Sequence, residues 1–252
     1  MKKRKTKEIK QQAKMALQGH LGTVILGLLA VYGLNMLGTI LSTTLFSGTS
    51  VLDLVLSEVF LLVVSLIVGI ISAGFGYMLL NISRGKEFSL GDLGYFFRNQ
   101  PDRVIIAGFV LALIQVITAI PYYYVSYTTD PGLTVESQLQ WLSVTFGLLA
   151  VSTVLNFLIS IPFAMTYFLM ADDPELGGIN GLKESMHLMK GNIWRYIKLN
   201  LSFIPLMLLS VFTFYIALFW ILPYMEMSLV TFYRDLNGEL DHRLPGDGYY
   251  TV

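Results

Sequence analysis

Apolar positions in this chain fall in long unbroken runs, separated by short polar stretches, rather than in the alternation of half-buried strands. A helix needs roughly 20 mostly apolar residues to cross about 30 Å of hydrocarbon. Six runs reach that length: residues 21–44, 54–82, 103–126, 141–170, 194–213 and 215–235. Only a tight aromatic turn at Phe214 and Tyr215 divides the last two. The pattern predicts an all-α polytopic membrane protein with six transmembrane helices arranged as three hairpins. Ahead of each hairpin, apolar residues recur at helical spacing. The first set is Ile9, Ala13, Ala16 and Leu17, the second Leu90, Leu93, Phe96 and Phe97, and the third Ile179, Leu182, Met186 and Met189. An amphipathic helix with a basic face lies in the headgroup plane of a bilayer. Residues 1–20 are therefore expected to form a basic amphipathic interfacial helix, 21–236 a six-span membrane domain, and 237–252 a short cytoplasmic tail. The basic start is too long for a signal peptide and lacks a small-residue cleavage site, so it is read as retained.

Charge gives these elements an orientation. All 17 Lys and Arg fall on the N-terminal side of the predicted spans, and the opposite loops carry only acids and neutral residues such as Asp53, Glu58, Asp130 and Glu136. Short basic loops stay cytoplasmic, which predicts cytoplasmic N- and C-termini and a multi-pass protein of a bacterial cytoplasmic membrane. Composition agrees: 54% of the 252 residues are hydrophobic and 13% charged, half the roughly 25% charged of a soluble domain. The chain has no cysteine, which excludes disulfides, thiol nucleophiles and thiolate metal sites.

Each predicted hairpin begins in a polar knot ("LQGHLGTVIL", "FRNQPDRVII", "MKGNIWRYIK") and ends alike ("GYMLLNISRG", "TYFLMADDPE", "TFYRDLNGEL"). This reads as an internal repeat of interfacial helix plus hairpin, at roughly 80–90-residue spacing.

The third unit is the most distinctive. Ala171 through Leu176, Ser185 to Asn192, Trp194, Leu201 to Phe203, Pro223-Tyr224 and Phe232 to Leu236, with "RGKEFSLGDL" at Arg84 and the basic start, resemble the bacterial integral membrane family catalogued as domain of unknown function 975. That family is distantly similar to the membrane region of some glycerophosphodiester phosphodiesterases. The resemblance implies a fold and a membrane location, and no reaction. Gly177, Gly178 and Gly181 depart from the better helix formers such members carry there, which puts the start of that helix in question.

Candidate chemistry is sparse. Glu226 is a lone carboxylate in the last run, and such groups face a cavity or a partner. With Asn156 and Asn35 it forms the candidate intramembrane polar site. "ADDPEL" at Ala171 could suggest a Mg²⁺–diphosphate motif, but that chemistry needs a second acidic motif. Asp172 or Asp173 as helix N-cap, followed by Pro174, is the expected reading. His20, His187 and His242 have no second ligand at helical spacing, and no nucleophile elbow is present. Neither catalytic residues, cofactor nor metal is expected. The basic N-terminus lacks the aromatic interleaving of a nucleic-acid module; anionic inner-leaflet headgroups are the expected partner. The cations expected to meet them are Lys3, Arg4, Lys7, Lys10, Lys14, Arg98, Arg103, Lys190, Arg195 and Lys198. The function expected is non-enzymatic: membrane organisation, lipid contact or partner scaffolding. A small transporter using Glu226 and the proline-bearing spans is the alternative.

Overall fold

The computed structural model describes residues 3–48 and 50–241 (for Val51, the backbone alone). His242, Arg243 and most of the tail lie outside that range. Among the described residues all regular structure is helical: α1 (Thr6–Leu17), α2 (Leu21–Leu45), α3 (Val51–Ser83), α4 (Tyr95–Arg98), α5 (Pro101–Thr128), α6 (Val135–Ser160), α7 (Thr166–Asp172), α8 (Gly178–Met189), α9 (Ile193–Leu201), α10 (Ile204–Phe212) and α11 (Leu218–Leu236).

Five stretches are long and apolar enough to cross a membrane: Leu21–Leu45, Leu52–Ser83, Pro101–Thr128, Val135–Asp172 and Ile193–Phe212. The sixth predicted run is also a helix. At 19 residues α11 has the length, but Glu226, Arg234 and Asp235 make it more charged than the other five. Large apolar side chains such as Leu37, Ile117, Phe146 and Leu155 stand exposed along the long helices, as in proteins whose outer surface is solvated by lipid tails.

Two of the long stretches are broken, each at a proline. Pro162 sits in a 3-10 turn (Ile161–Phe163) between α6 and α7, and Pro205 opens α10. Proline lacks the N–H that continues a helical ladder. At the first break Ser185 of α8 supplies the missing bonds: its Oγ accepts from Met165 N at 3.1 Å and donates to Pro162 O at 2.8 Å. Pro121 and Pro223 lie inside helices that continue through them.

The buried core is concentrated where α1, α3, α7, α8 and α11 meet. It includes Ile9 and Ala13 of α1, Met78 and Leu79 of α3, Met165 and Met170 of the fourth stretch, and Phe232 and Tyr233 of α11.

The three segments ahead of the hairpins differ from one another. In α1 the four apolar residues Ile9, Ala13, Ala16 and Leu17 are all buried. They are covered by protein, chiefly α11 and α3, so this apolar face does not rest on acyl chains. The second segment is a 3-10 turn (Leu90–Gly94) and the single turn α4. Phe96 is buried in it, while Leu90 and Phe97 are exposed. In α8 the buried face is Gly178, Gly181, Leu182, Ser185 and Met189, with Ile179 and Met186 turned outward. The small side chains decide this. A Cβ on Gly178 would lie 2.4 Å from Arg103 O, and one on Gly181 2.9 Å from Met170 Cε. The close approach of α8 to the α5 backbone requires glycine at 178, while Gly181 makes room for the flexible end of Met170.

Each knot before a long helix holds one residue with positive φ: Gly19 (82°), Gln100 (52°) and Gly191 (78°). His20, Gln100 and Asn192 are the N-caps that follow, none with a side-chain capping bond.

Candidate functional site

The segments at the ends of α3, α7 and α11 converge on one lattice of charges. Arg84, just past α3, holds the Asp172 carboxylate at the end of α7 with both terminal nitrogens, Nη2 to Oδ2 at 2.7 Å. The Tyr233 hydroxyl of α11 donates to the same carboxylate at 2.7 Å. Arg84 Nε also donates to Glu239 at 3.0 Å, as does Arg234 Nε. Arg234 in turn donates to the carbonyl of Ser83 and, at 2.9 Å, to its hydroxyl. Burial pulls the Arg84 guanidinium toward losing its proton, but Asp172 and then Glu239 more than offset that and leave its pKa above the ordinary value.

A second group sits beside the first. Asp235 has a side chain only 1% exposed, and it pairs with Arg4 at 3.0 Å and with Arg195. Arg4 reaches Asp241 and the carbonyl of Leu240, and Arg195 donates to Arg4 O at 2.9 Å. The segment before α1, helix α9 and the end of α11 are thereby tied together.

Asp172 and Asp173 do not start a helix. Asp172 is the last residue of α7, and Asp173 is its C-cap, with Oδ1 accepting from Glu175 N at 2.9 Å. The cap of α8 is Gly177 instead. The adjacent aspartates therefore have separate partners, and among the described residues no group of three or more His, Cys, Asp or Glu could hold a metal ion.

The expected headgroup cations divide into two sets. Arg4 and Arg195 are engaged in ion pairs, and Arg103 is buried at 3% exposure with Nη1 on the carbonyl of Asp173 at 2.8 Å. These three are taken up by the protein itself. Lys7 and Lys14 are exposed and line, with Lys10, Gln11, Ser202 and Tyr224, an open groove of about 800 Å³. Lys10 Nζ donates to the carbonyl and hydroxyl of Ser202, both at 3.2 Å, and lies 3.8 Å from the centre of the Phe203 ring. Among the described residues none of these three lysines makes an ion pair. Desolvation holds the Lys10 pKa below its ordinary value. A folded-state value below the unfolded one means that protonated Lys10 costs stability at neutral pH, a cost absent above the unfolded pKa. An anion beside it would offset that cost. Arg98, Lys190 and Lys198 are exposed, Lys198 over the Trp194 ring, and Lys3 is exposed ahead of α1.

The three members of the candidate intramembrane polar site do not meet. Asn35 is exposed and donates to Val31 O of its own helix. Asn156 donates to Thr118 Oγ1 at 3.4 Å. Glu226 is half-buried, within electrostatic range of Tyr32 and Tyr196, and makes no hydrogen bond or ion pair among the described residues. The residues that do come together, Arg84, Asp172, Tyr233, Arg234, Asp235 and Glu239, carried one signal in the sequence: they all lie in the three similar stretches "GYMLLNISRG", "TYFLMADDPE" and "TFYRDLNGEL".

Residues 1–239 match the model of a family described as a protein of unknown function (DUF975). The chain belongs to that family. Its match spans α1 to α11, the lysine groove and the charged lattice up to Glu239. No curated protein and no solved structure matches the chain, and the distant likeness to phosphodiesterase membrane regions gains no support.

Proposed function

We propose that this is a six-span protein of the bacterial cytoplasmic membrane, with α11 as its sixth span and both termini inside. In this reading it is a non-enzymatic, lipid-contacting protein whose lysine groove takes the headgroup of an anionic phospholipid on the inner leaflet. One observation carries the reading. Arg4, Arg84, Arg195 and Arg234 at this end are paired with carboxylates, whereas Lys7, Lys10 and Lys14 line an open groove without an acid among the described residues. Three ammonium groups beside a serine hydroxyl supply the donors a phosphodiester accepts, and a headgroup can approach from the bilayer surface. The three hairpin units, each with its left-handed knot and charged end, are read as degenerate copies of one repeat. Their charged ends pair with one another across copies, which holds the inner face rigid around the groove.

The test is lipid retention by the full chain in detergent, read by native mass spectrometry. Dioleoylphosphatidylglycerol is expected to remain bound where dioleoylphosphatidylcholine does not. At about 1 kcal/mol per basic residue, replacing Lys7, Lys10 and Lys14 by Gln should weaken retention roughly a hundredfold. Equal retention of the two lipids, or no effect of the triple substitution, would remove the lipid-contacting reading.

A further inference from the structure

A cavity of about 350 Å³ lies among α3, α5, α6, α7 and α9 and shares no lining residue with the lysine groove. Its polar lining comes from the long apolar helices themselves: Ser65 of α3, Gln115 of α5, Asn156 and Ser160 of α6, and Tyr167 of α7. Among the described residues the Gln115 amide and the Tyr167 hydroxyl make no hydrogen bond. Asn156 has a single long one, to Thr118. Ser65 Oγ donates to Leu62 O of its own helix at 2.7 Å, and the Ser160 hydroxyl makes no hydrogen bond among the described residues. Polar groups left unpaired inside an apolar span are costly, and Gln115, Ser160 and Tyr167, facing one space beside the part-satisfied Asn156, need a ligand or water to satisfy them. The space is open in part because α5 has glycine at position 108, where a Cβ would lie 3.5 Å from the Tyr167 hydroxyl.

The chemistry of the wall selects the ligand. No acid, Lys, Arg or His lines it, so a charged group entering would be desolvated without compensation. Carboxamides and hydroxyls together both donate and accept, which suits a ligand hydroxyl that does the same. The volume is at the small end of ligand cavities, about 300–1,000 Å³, enough for a glycerol-sized head and too small for a whole lipid. Phe157 at the wall is 41% exposed and continues into an apolar outer surface, which acyl chains would cover. We propose that this cavity binds the hydroxyl-bearing head of an uncharged glycerolipid arriving laterally from the bilayer. The inference rests on α3, α5 and α6 crossing the membrane, and it is independent of the lysine groove.

The experiment measures binding of dioleoylglycerol to the full chain by native mass spectrometry, with dioleoylphosphatidylglycerol as the anionic control. Wild type is expected to retain dioleoylglycerol. Gln115→Leu and Asn156→Leu should each weaken that retention about five- to tenfold, the worth of one hydrogen-bonding partner, and Gly108→Leu should abolish it by filling the space. None of the three should change phosphatidylglycerol retention, while the Lys7, Lys10 and Lys14 substitutions should leave dioleoylglycerol bound. The Gln115 side chain makes no hydrogen bond among the described residues, so its replacement tests the cavity even if Asn156→Leu does not fold. Absence of dioleoylglycerol from wild type, or undiminished retention in Gln115→Leu and Gly108→Leu, would overturn the proposal whatever the lysine groove does.

Discussion

Replacing Arg84 by Met should cost this protein a substantial fraction of its stability, because the substitution removes the charge that joins the end of α3 to the ends of α7 and α11 while keeping the apolar stem. Removing one partner of a fully buried pair costs about 3–5 kcal/mol, whereas an exposed pair contributes about 0–1 kcal/mol. The Arg84 side chain is 12% exposed and its partner Asp172 29%, between those limits. After the substitution Tyr233 still donates to Asp172 and Arg234 still donates to Glu239, so neither carboxylate is wholly orphaned. Discounted for that exposure and for the remaining partners, the expected loss is about 2–3 kcal/mol, or a fall in melting temperature of roughly 4–12 °C for a chain of this size. The assay is reversible thermal or denaturant unfolding in nanodiscs, run as a double-mutant cycle with Asp172→Asn. The two changes should be non-additive by about 1–2 kcal/mol, as expected for groups in contact. Asp173→Asn serves as the neighbouring control and should be within about 0.5 kcal/mol of wild type, since its carboxylate caps only a local turn. An Arg84→Met variant that melts with wild type, or a strictly additive cycle, would refute the idea that these charges lock the helix ends together.

Other substitutions probe the remaining joints. Ser185→Ala leaves Met165 N and Pro162 O without their partner at the break in the fourth long stretch, and should cost about 1–3 kcal/mol in the same unfolding assay; no loss would mean the break is healed in another way. Gly178→Ala places a methyl group 2.4 Å from Arg103 O, so α8 must shift. A loss of about 1–3 kcal/mol is expected from overpacking, and a stabilised variant, as helix propensity alone would give, would contradict the close-approach role. Glu226→Leu removes an unpaired carboxylate from an apolar helix and should stabilise the protein by about 1–2.5 kcal/mol. Destabilisation would reveal a partner for Glu226 and reopen a transport role for it.

The spans were readable because a helix solvated by lipid must bury its backbone bonds locally and present an apolar surface nearly all round, which leaves long runs in the sequence. The predicted run 103–126 became α5 at Pro101–Thr128, and 54–82 became α3 at Val51–Ser83. Side-chain pairing was harder to read. Arg84 and Asp172 are 88 residues apart, and no local period connects them. Capping logic puts Asp172 or Asp173 at a helix start because Pro174 follows, yet Asp172 ends α7 and the N-cap of α8 is Gly177, one of the glycines that put that start in question. In α8 the pattern puts Ile179, Leu182, Met186 and Met189 on one apolar face; Leu182 and Met189 are buried, but close packing against α5 favours small side chains, so Gly178, Gly181 and Ser185 turn inward in place of Ile179 and Met186. In α1 the residues expected on one apolar face, Ile9, Ala13, Ala16 and Leu17, do share a face, but it is buried under α11 rather than turned to acyl chains, because local spacing says nothing about which element lies over it. The polar cavity escaped notice because Gln115 and Tyr167 are single polar residues on different helices.

The most direct test of the account is the orientation of its loops. The chain has no cysteine, so single cysteines can be introduced without background and labelled with a membrane-impermeant maleimide on sealed vesicles. Arg98→Cys and Lys190→Cys should label from one side only, and Asp130→Cys and Ile216→Cys from the other. Labelling of Ile216→Cys from the same side as Lys190→Cys would mean that the last two runs do not cross the membrane, and the six-span account would fall.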